Sequence, residues 1–116
     1  MRLRVGVFIL KLELKPSIQE RSLRAFLDLA ILCVLVDRPM TGYEINGLFV
    51  KKFGILIGPS MVYSKLYSME RKGWIKYTQN RAGRVYSLTE QGRKIVDSMT
   101  SIAEEIQAFI RILLRS

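Results

Sequence analysis

The sequence predicts a mostly helical α+β domain with one small β-hairpin and a long C-terminal helix. Three observations carry this prediction: apolar residues recur at helical spacing, two β-rich runs flank a turn at residues 80–83, and the last segment has heptad-like apolar spacing. The chain has 116 residues, 49% of them apolar, which suffices for one modest core. We expect a folded domain of residues 17–88, preceded by an extension of residues 1–16 and followed by a helical segment of residues 89–116.

The first sixteen residues have two interpretations, a strand or a mobile tail. Apolar residues alternate with other residues from Met1 to Ile9, the phase slips, and alternation resumes from Leu10 to Lys15. Period-two alternation is typical of a strand, and a lone strand needs a pairing partner, for which the same segment of a second copy is a candidate. A signal peptide fits poorly because the uncharged run is short, and the segment is too short to span a membrane.

A first helix is predicted from Ser17 to about Val36. Ser17–Glu20 has the spacing of a capping box, and Asp37–Pro39 ends the helix. Apolar residues lie on nearly every side of its second half, so we expect that half to be buried all round. Cys33 lies within this run and is expected to be a small core residue.

A second, shorter helix is predicted after Thr41. Thr41 and Glu44 have the spacing of another capping box, and Met40 and Ile45 occupy the positions of a hydrophobic staple. Gly54 should end this helix. The expected buried stripe consists of Ile45, Leu48, Phe49 and Phe53.

The stretch from Gly58 to Trp74 predicts a third helix of about four turns. Pro59 suits the first helical position and Gly73 the left-handed position after the last turn. The apolar stripe holds Val62, Leu66 and Met69, and the opposite stripe holds Ser60, Ser64, Tyr67, Ser68 and Arg71, with Lys65 and Lys72 on its flank. Such a polar stripe suits a base-pair edge and a phosphate, although from this segment alone an ordinary solvated face is the better interpretation.

A β-hairpin is predicted from Trp74–Gln79 and Arg84–Leu88, joined by the turn residues Asn80–Gly83. Its expected tip carries Arg81 and Arg84, backed by Lys76, and no acidic residue lies between Lys72 and Arg84. Arginines on a protruding ribbon suit a wing that enters a minor groove or contacts the phosphate backbone. The alternative is that the tip is charged only because it is solvated.

The last segment predicts a helix that Thr89 caps and that continues to about Leu114. A helix of ~26 residues is ~39 Å long, which exceeds what so small a domain covers. The apolar residues follow an a/d seam made of Ile95, Met99, Ile102, Ile106, Phe109 and Leu113, which Ile110 widens on one side. We therefore expect a homodimer through this helix.

Charge favours a polyanionic partner, because the formal net charge is +9 and the pI is near 10.1. Nucleic acid and an anionic membrane surface both fit. Residues 90–116 hold four basic and four acidic residues, so the excess lies elsewhere. With one cysteine and no histidine, the chain lacks the usual residues for a zinc site or a Ser–His or Cys–His nucleophile. We expect no catalysis, no metal and no organic cofactor.

The predicted order of elements is that of a winged helix-turn-helix protein with a C-terminal dimerisation helix. At residue level the chain resembles the PadR family of transcriptional regulators over roughly residues 23–97. The motifs that carry the resemblance are TGYEI at Thr41–Ile45, GPSMVYSKL at Gly58–Leu66, KGWI at Lys72–Ile75 and YSLTEQG at Tyr86–Gly92. Ser60, Ser64 and Trp74 depart from the family pattern, in which Gly, Pro and an aliphatic residue are usual.

The resemblance implies a sequence-specific, double-stranded DNA-binding transcriptional regulator, in the first instance a repressor, that is cytoplasmic and binds an inverted repeat as a homodimer. The residues expected in the major groove are Ser60, Ser64, Tyr67, Ser68 and Arg71, and those expected at phosphates are Lys65, Lys72, Lys76, Arg81 and Arg84. PadR-like proteins often respond to small aromatic or lipophilic effectors near the dimer interface. Trp74, Phe26 and Phe109 are candidates to line such a pocket, although aromatic residues are more often only core.

Two other functions compete with this interpretation. A winged fold also serves as a protein-interaction or structural module without specific DNA readout, and fold alone does not decide function. Binding to a membrane surface through the basic, apolar N-terminus is the other alternative. The basic segment from the third helix to the hairpin argues against the first, and the strand-like period of the N-terminus argues against the second.

Overall fold

A computed structural model describes residues 18–115. The predicted N-terminal strand or tail and the capping residue Ser17 lie outside these residues. The elements in chain order are α1 (18–25), α2 (Leu27–Leu35), β1 (Met40–Thr41), α3 (Gly42–Phe53), α4 (Pro59–Arg71), β2 (Ile75–Asn80), β3 (Gly83–Leu88), α5 (Glu90–Asp97) and α6 (Met99–Arg115). The predicted fold class, mostly helical with a small β-sheet, is confirmed.

The predicted first helix is interrupted at Phe26, which has a φ of −113° and a ψ of 32°. Hydrogen bonds nevertheless continue past it, because its N–H donates to the Ser22 carbonyl and its carbonyl accepts from Ala30, both at 2.9 Å. The expectation that the second half is buried all round is wrong. Cys33 and Val36 are exposed, because no described element packs over their side of α2.

The capping box at the start of α3 is confirmed. The Glu44 N–H donates to the Thr41 hydroxyl at 3.1 Å, and the Thr41 N–H donates to the Glu44 carboxylate at 3.1 Å. Gly54 ends the helix with a φ of 66°. Ile45 and Phe49 are buried as predicted, but Phe53 is 49% exposed because it lines an open apolar groove at the end of α3.

The predicted hairpin is confirmed, but its turn has two residues rather than the expected four, because Asn80 and Gly83 pair within the strands. The Asn80 side chain accepts a hydrogen bond from the Ala82 N–H at 2.8 Å, and Gly83 takes a φ of 107°. A third strand, β1, pairs with β3, so that the antiparallel sheet has the order β1-β3-β2. Two residues carry no periodicity, which is why the sequence predicts no strand there.

One apolar core joins α1 through α4 to the sheet. Its fully buried side chains are Leu27, Ile31, Leu32, Met40, Ile45, Phe49, Ile57, Val62, Leu66, Met69 and Ile75. Ile95, Val96 and Met99 pack partly against this core from the C-terminal side. With α3 and α4 packed together and the hairpin beside them, this is the winged helix arrangement that the sequence predicts.

The start of α5 is fixed to the end of α4. The Thr89 hydroxyl donates to the Gly73 carbonyl at 2.6 Å, and the Thr89 N–H donates to the Trp74 carbonyl at 3.1 Å. A Cβ at Gly92 would overlap the Trp74 carbonyl oxygen, so only glycine allows this close approach of the two backbones. The junction therefore sets where the C-terminal helices leave the domain.

The predicted single C-terminal helix is in fact two, because Ser98 separates α5 from α6. Ser98 has a φ of −91° and a ψ of 0°, and its hydroxyl donates to the Lys94 carbonyl at 3.0 Å. Serine hydroxyls compete in this way with the helical hydrogen-bond pattern. No residue of α6 is buried within the described chain, whose longest dimension is 58 Å. Across residues 18–115, every helix is too short or too polar to cross a membrane.

Candidate nucleic-acid interface

A buried amide fixes the turn between α3 and α4. The Asn46 amide nitrogen donates to the Ile57 carbonyl at 2.6 Å, and its oxygen accepts from the Ile57 N–H at 3.3 Å. Both backbone groups are thereby satisfied inside the core, where an unpaired group would be costly. Asn46 is not among the residues predicted from the sequence. The available signal was an amide at a core-facing position of α3, next to Ile45.

The two faces of α4 are those predicted from its periodicity. Val62, Leu66 and Met69 are buried, with 1%, 0% and 1% of their surface exposed. The helix ends as expected, because Gly73 has a φ of 81° and the Trp74 N–H donates to the Met69 carbonyl at 3.0 Å. The position of α4 in the core thus leaves its polar stripe facing outward.

The outward stripe of α4 is a shallow polar groove of about 430 Å³. The structure brings five of the seven predicted α4 residues together in its lining, namely Ser64, Tyr67, Ser68, Arg71 and Lys72. Ser60 is exposed in the first turn, and Lys65 is partly buried on the flank. We call this groove, together with the hairpin, the basic face.

The hairpin places its three predicted cations in solvent, since Lys76, Arg81 and Arg84 are all exposed. Arg81 lies in the two-residue turn. Arg84 instead lies over the ring of Tyr77, with its guanidinium carbon 4.2 Å from the ring centroid. A hydrogen bond with Tyr86, followed by the neighbouring Tyr77, raises the pKa of Arg84.

Aromatic rings also lie under two cations at the C-terminal end of α4. The Arg71 guanidinium is 5.6 Å from the Tyr67 ring centroid, and the Lys72 amine is 4.8 Å from that of Trp74. Cations over aromatic faces are attracted by the ring quadrupole. These ring contacts are not among the sequence-based predictions, although aromatic and basic residues visibly alternate from Tyr67 to Arg84.

The basic face carries positive charge that no ion pair neutralises. Within residues 18–115 the two ion pairs are Arg24 with Glu20 and Arg38 with Glu44, and both lie elsewhere. From Lys72 to Arg84 the chain holds four basic residues and no acidic one. Such a surface attracts a polyanion at physiological salt.

The aromatic residues predicted to line an effector pocket do not meet within one chain. Phe26 lines an apolar groove of about 420 Å³ with Cys33 and Phe53. Trp74 lies instead beneath Lys72, and Phe109 is exposed on α6. Cys33 is exposed in that groove rather than a core residue, and partial burial raises the pKa of its thiol.

Comparison with known proteins agrees with the resemblance. The model of the transcriptional regulator PadR-like family matches residues 31–98, which is more than half of the chain. The structure of a Thermoplasma acidophilum protein is similar at 29% sequence identity and a TM-score of 0.64, over 84% of this chain and 98% of that one. Bacillus subtilis PadR, whose crystal structure is a complex with operator DNA, has 25% identity and a TM-score of 0.59, over 64% of this chain and 46% of that one.

One curated relative matches part of the chain. It is an uncharacterized 37.1 kDa protein of transposon Tn4556 from Streptomyces fradiae, 30% identical over 71 residues. The match covers 60% of this chain but only 21% of that protein, so the chain spans about a fifth of the relative's length.

Proposed function

This chain belongs to the PadR-like family of transcriptional regulators, and on that premise we propose that it binds double-stranded DNA sequence-specifically as a homodimer and represses transcription. The observation that carries the proposal is the basic face, where a polar recognition stripe and a wing carry cations without ion-pair partners. The operator-bound structure of the related Bacillus subtilis PadR supports it. In this proposal the protein acts in the cytoplasm by binding and performs no catalysis.

In the proposed complex, α4 lies in the major groove and the wing contacts the flanking backbone. The residues at base edges are Ser60, Ser64, Tyr67, Ser68 and Arg71, and those at phosphates are Lys65, Lys72, Lys76, Arg81 and Arg84. Arg71 has the strongest claim to a guanine, because a guanidinium donates two parallel hydrogen bonds to its O6 and N7 atoms. The short serine side chains let the helix approach the base edges closely.

The homodimer rests on α6, whose apolar residues lack cover in the described chain. Phe109, Ile110 and Leu113 are 59%, 49% and 55% exposed. Monomeric proteins seldom leave so continuous an apolar stripe in water, and the a/d spacing suits a second copy of the same helix. The proposed interface consists of Ile95, Met99, Ile102, Ile106, Phe109, Ile110 and Leu113. A two-fold dimer would place two α4 helices about 34 Å apart, which requires an inverted repeat.

The proposal is tested by measuring binding to random duplex DNA and to a selected pool at several salt concentrations, with mass recorded by light scattering. We expect a dimer, salt-sensitive binding to all duplexes and enrichment of an inverted repeat. A folded dimer that binds no DNA at low salt would overturn the proposal and leave the interaction-module function in its place.

The wing assignment has its own test in the double variant Arg81→Ala/Arg84→Ala. Loss of two phosphate contacts should weaken binding on every sequence and reduce the slope of log Kd against log salt by about 2. The matched control is Arg93→Ala/Lys94→Ala on α5, which removes the same charge from exposed positions outside the basic face. An unchanged slope in the wing variant would contradict the assignment.

The small aromatic or lipophilic effector stays a prediction. The apolar groove beside Phe26 is a described surface that could accept such a ligand within one chain. We expect a lipophilic compound to change the DNA affinity in a saturable manner. Phe26→Ser should abolish this effect.

A further inference from the structure

The two arginines of the wing differ in their surroundings. Arg84 lies on the same face of the hairpin as Tyr77 and Tyr86, because residues two apart on a strand share a face and Tyr77 pairs with Tyr86. Its guanidinium carbon is 4.2 Å from the Tyr77 ring centroid. Arg81 lies in the turn, and among the described residues it has neither an ion pair nor a ring contact.

The Tyr77 ring is itself held in place from the core. Tyr86 is 3% exposed and belongs to the buried cluster. The Tyr77 and Tyr86 rings have centroids 5.9 Å apart at an angle of 55°, a tilted arrangement that aromatic pairs favour. A continuous line of contacts therefore leads from the core through Tyr86 and Tyr77 to Arg84.

A stacked guanidinium remains able to bind a phosphate. The ring contact uses the face of the planar group and the hydrogen bond with Tyr86 uses part of its edge, so the remaining N–H groups can still donate to phosphate oxygens. A side chain that is already ordered also loses less conformational freedom when it binds. The Arg84 side chain is thus ordered before DNA binds, whereas the Arg81 side chain would become ordered only on contact with the DNA.

We propose that Tyr77 is a positioning residue for DNA binding, whose ring holds Arg84 against the core-anchored Tyr86 so that the guanidinium edge meets a backbone phosphate. Arg81 is the mobile partner that adapts to the local path of the backbone. This inference rests on the proposed function, because it concerns how the wing contacts DNA.

The test compares Tyr77→Phe with Tyr77→Ile on the selected operator by fluorescence anisotropy at several salt concentrations. Each variant is measured alone, with Arg84→Ala and with Arg81→Ala. Tyr77→Phe keeps the ring and should bind within about twofold of the wild type. Tyr77→Ile supplies another residue that strands favour but removes the ring, and should weaken binding about fivefold without changing the salt slope. That loss should vanish in the Arg84→Ala background and persist fully with Arg81→Ala.

A second measurement is made on the free protein, because general disorder of the hairpin in Tyr77→Ile would also weaken DNA binding. NMR relaxation of the arginine Nε–H groups should show Arg84 more ordered than Arg81 in the wild type and as mobile as Arg81 in Tyr77→Ile, with backbone order of the hairpin retained. Equal mobility of the two arginines in the wild type would overturn the inference. The inference would also be overturned if Tyr77→Phe lost as much DNA affinity as Tyr77→Ile. The same holds if Tyr77→Ile weakened binding equally in the Arg84→Ala background. If the wild type binds no DNA, the proposed function itself fails.

Discussion

The helices α4 and α6 are both amphipathic, yet their apolar stripes have different surroundings. The 13 residues of α4 include three that are buried, whereas none of the 17 residues of α6 is buried in the described chain. The core covers Val62, Leu66 and Met69 of α4 and leaves the polar stripe outward, beside the partly exposed Met61 and Tyr63. For α6 the apolar side is the one left in water. The outward stripe of α4 thus suits a polar ligand and that of α6 an apolar partner, which is what the proposed DNA-binding dimer needs.

The largest expected effect concerns the exposed apolar stripe of α6. Phe109→Asp should weaken self-association by more than ~3 kcal/mol, because an unpaired carboxylate would be buried in the proposed interface. Light scattering across a dilution series measures the effect, and circular dichroism checks that the helices remain. Ala108→Asp is the matched control, since it places the same residue on the opposite face of α6. Equal behaviour of the two variants would contradict the interface.

The contribution of the buried apolar stripe of α4 to stability is tested by Leu66→Ala. Leu66 has no exposed surface, so its truncation should lower the free energy of unfolding by about 2–5 kcal/mol. Urea unfolding measures the loss, and Ser64→Ala on the outward stripe is the control, expected to change stability by under about 0.5 kcal/mol. A loss of stability well under about 2 kcal/mol in Leu66→Ala would contradict the conclusion that burial of the apolar stripe of α4 stabilises the fold.

The junction between the two regions is tested by Gly92→Ala. The added methyl would overlap the Trp74 carbonyl, and we expect a loss of about 1–3 kcal/mol of stability. Gly47→Ala is the matched control, because a Cβ there meets nothing within 4 Å and alanine is the better helix former by about 1 kcal/mol. Thermal unfolding of both variants should therefore shift in opposite directions. A neutral Gly92→Ala would show that α5 moves away from Trp74 at little cost.

The smallest expected effect concerns the capping box that begins α3 and so helps to hold α4. The hydrogen bond from the Thr41 N–H, followed by the nearby Arg38, lowers the pKa of Glu44. A lowered pKa in the folded state means that the stabilisation is complete above the pKa of the unfolded chain and is lost as the pH falls through the lowered value. The melting temperature of wild type should consequently fall more steeply in acid than that of Glu44→Gln. If the melting temperatures of the two proteins changed in parallel with pH, Glu44 would not contribute to the loss of stability in acid.

Features set by neighbouring residues were predictable. Thr41 and Glu44 lie three residues apart, and the Pro59 start and Gly73 end of α4 express backbone preferences of single residues. The interruptions at Phe26 and Ser98 were not predictable, because the apolar spacing continues through both positions. The exposure of Phe53 and Cys33 was equally hidden, since a helical stripe does not reveal which side a neighbouring element will cover.

The sequence by itself determined the main helical segments and the hairpin, their order, the two faces of α4 and the excess of positive charge, since each depends on local spacing or on composition. Only the tertiary structure decided that Asn46 holds the backbone of Ile57. It likewise decided that β1 joins the sheet and that Tyr77 supports Arg84. Each of these contacts joins residues that are apart in the chain. Their geometry follows from how the core packs, and no single segment encodes it.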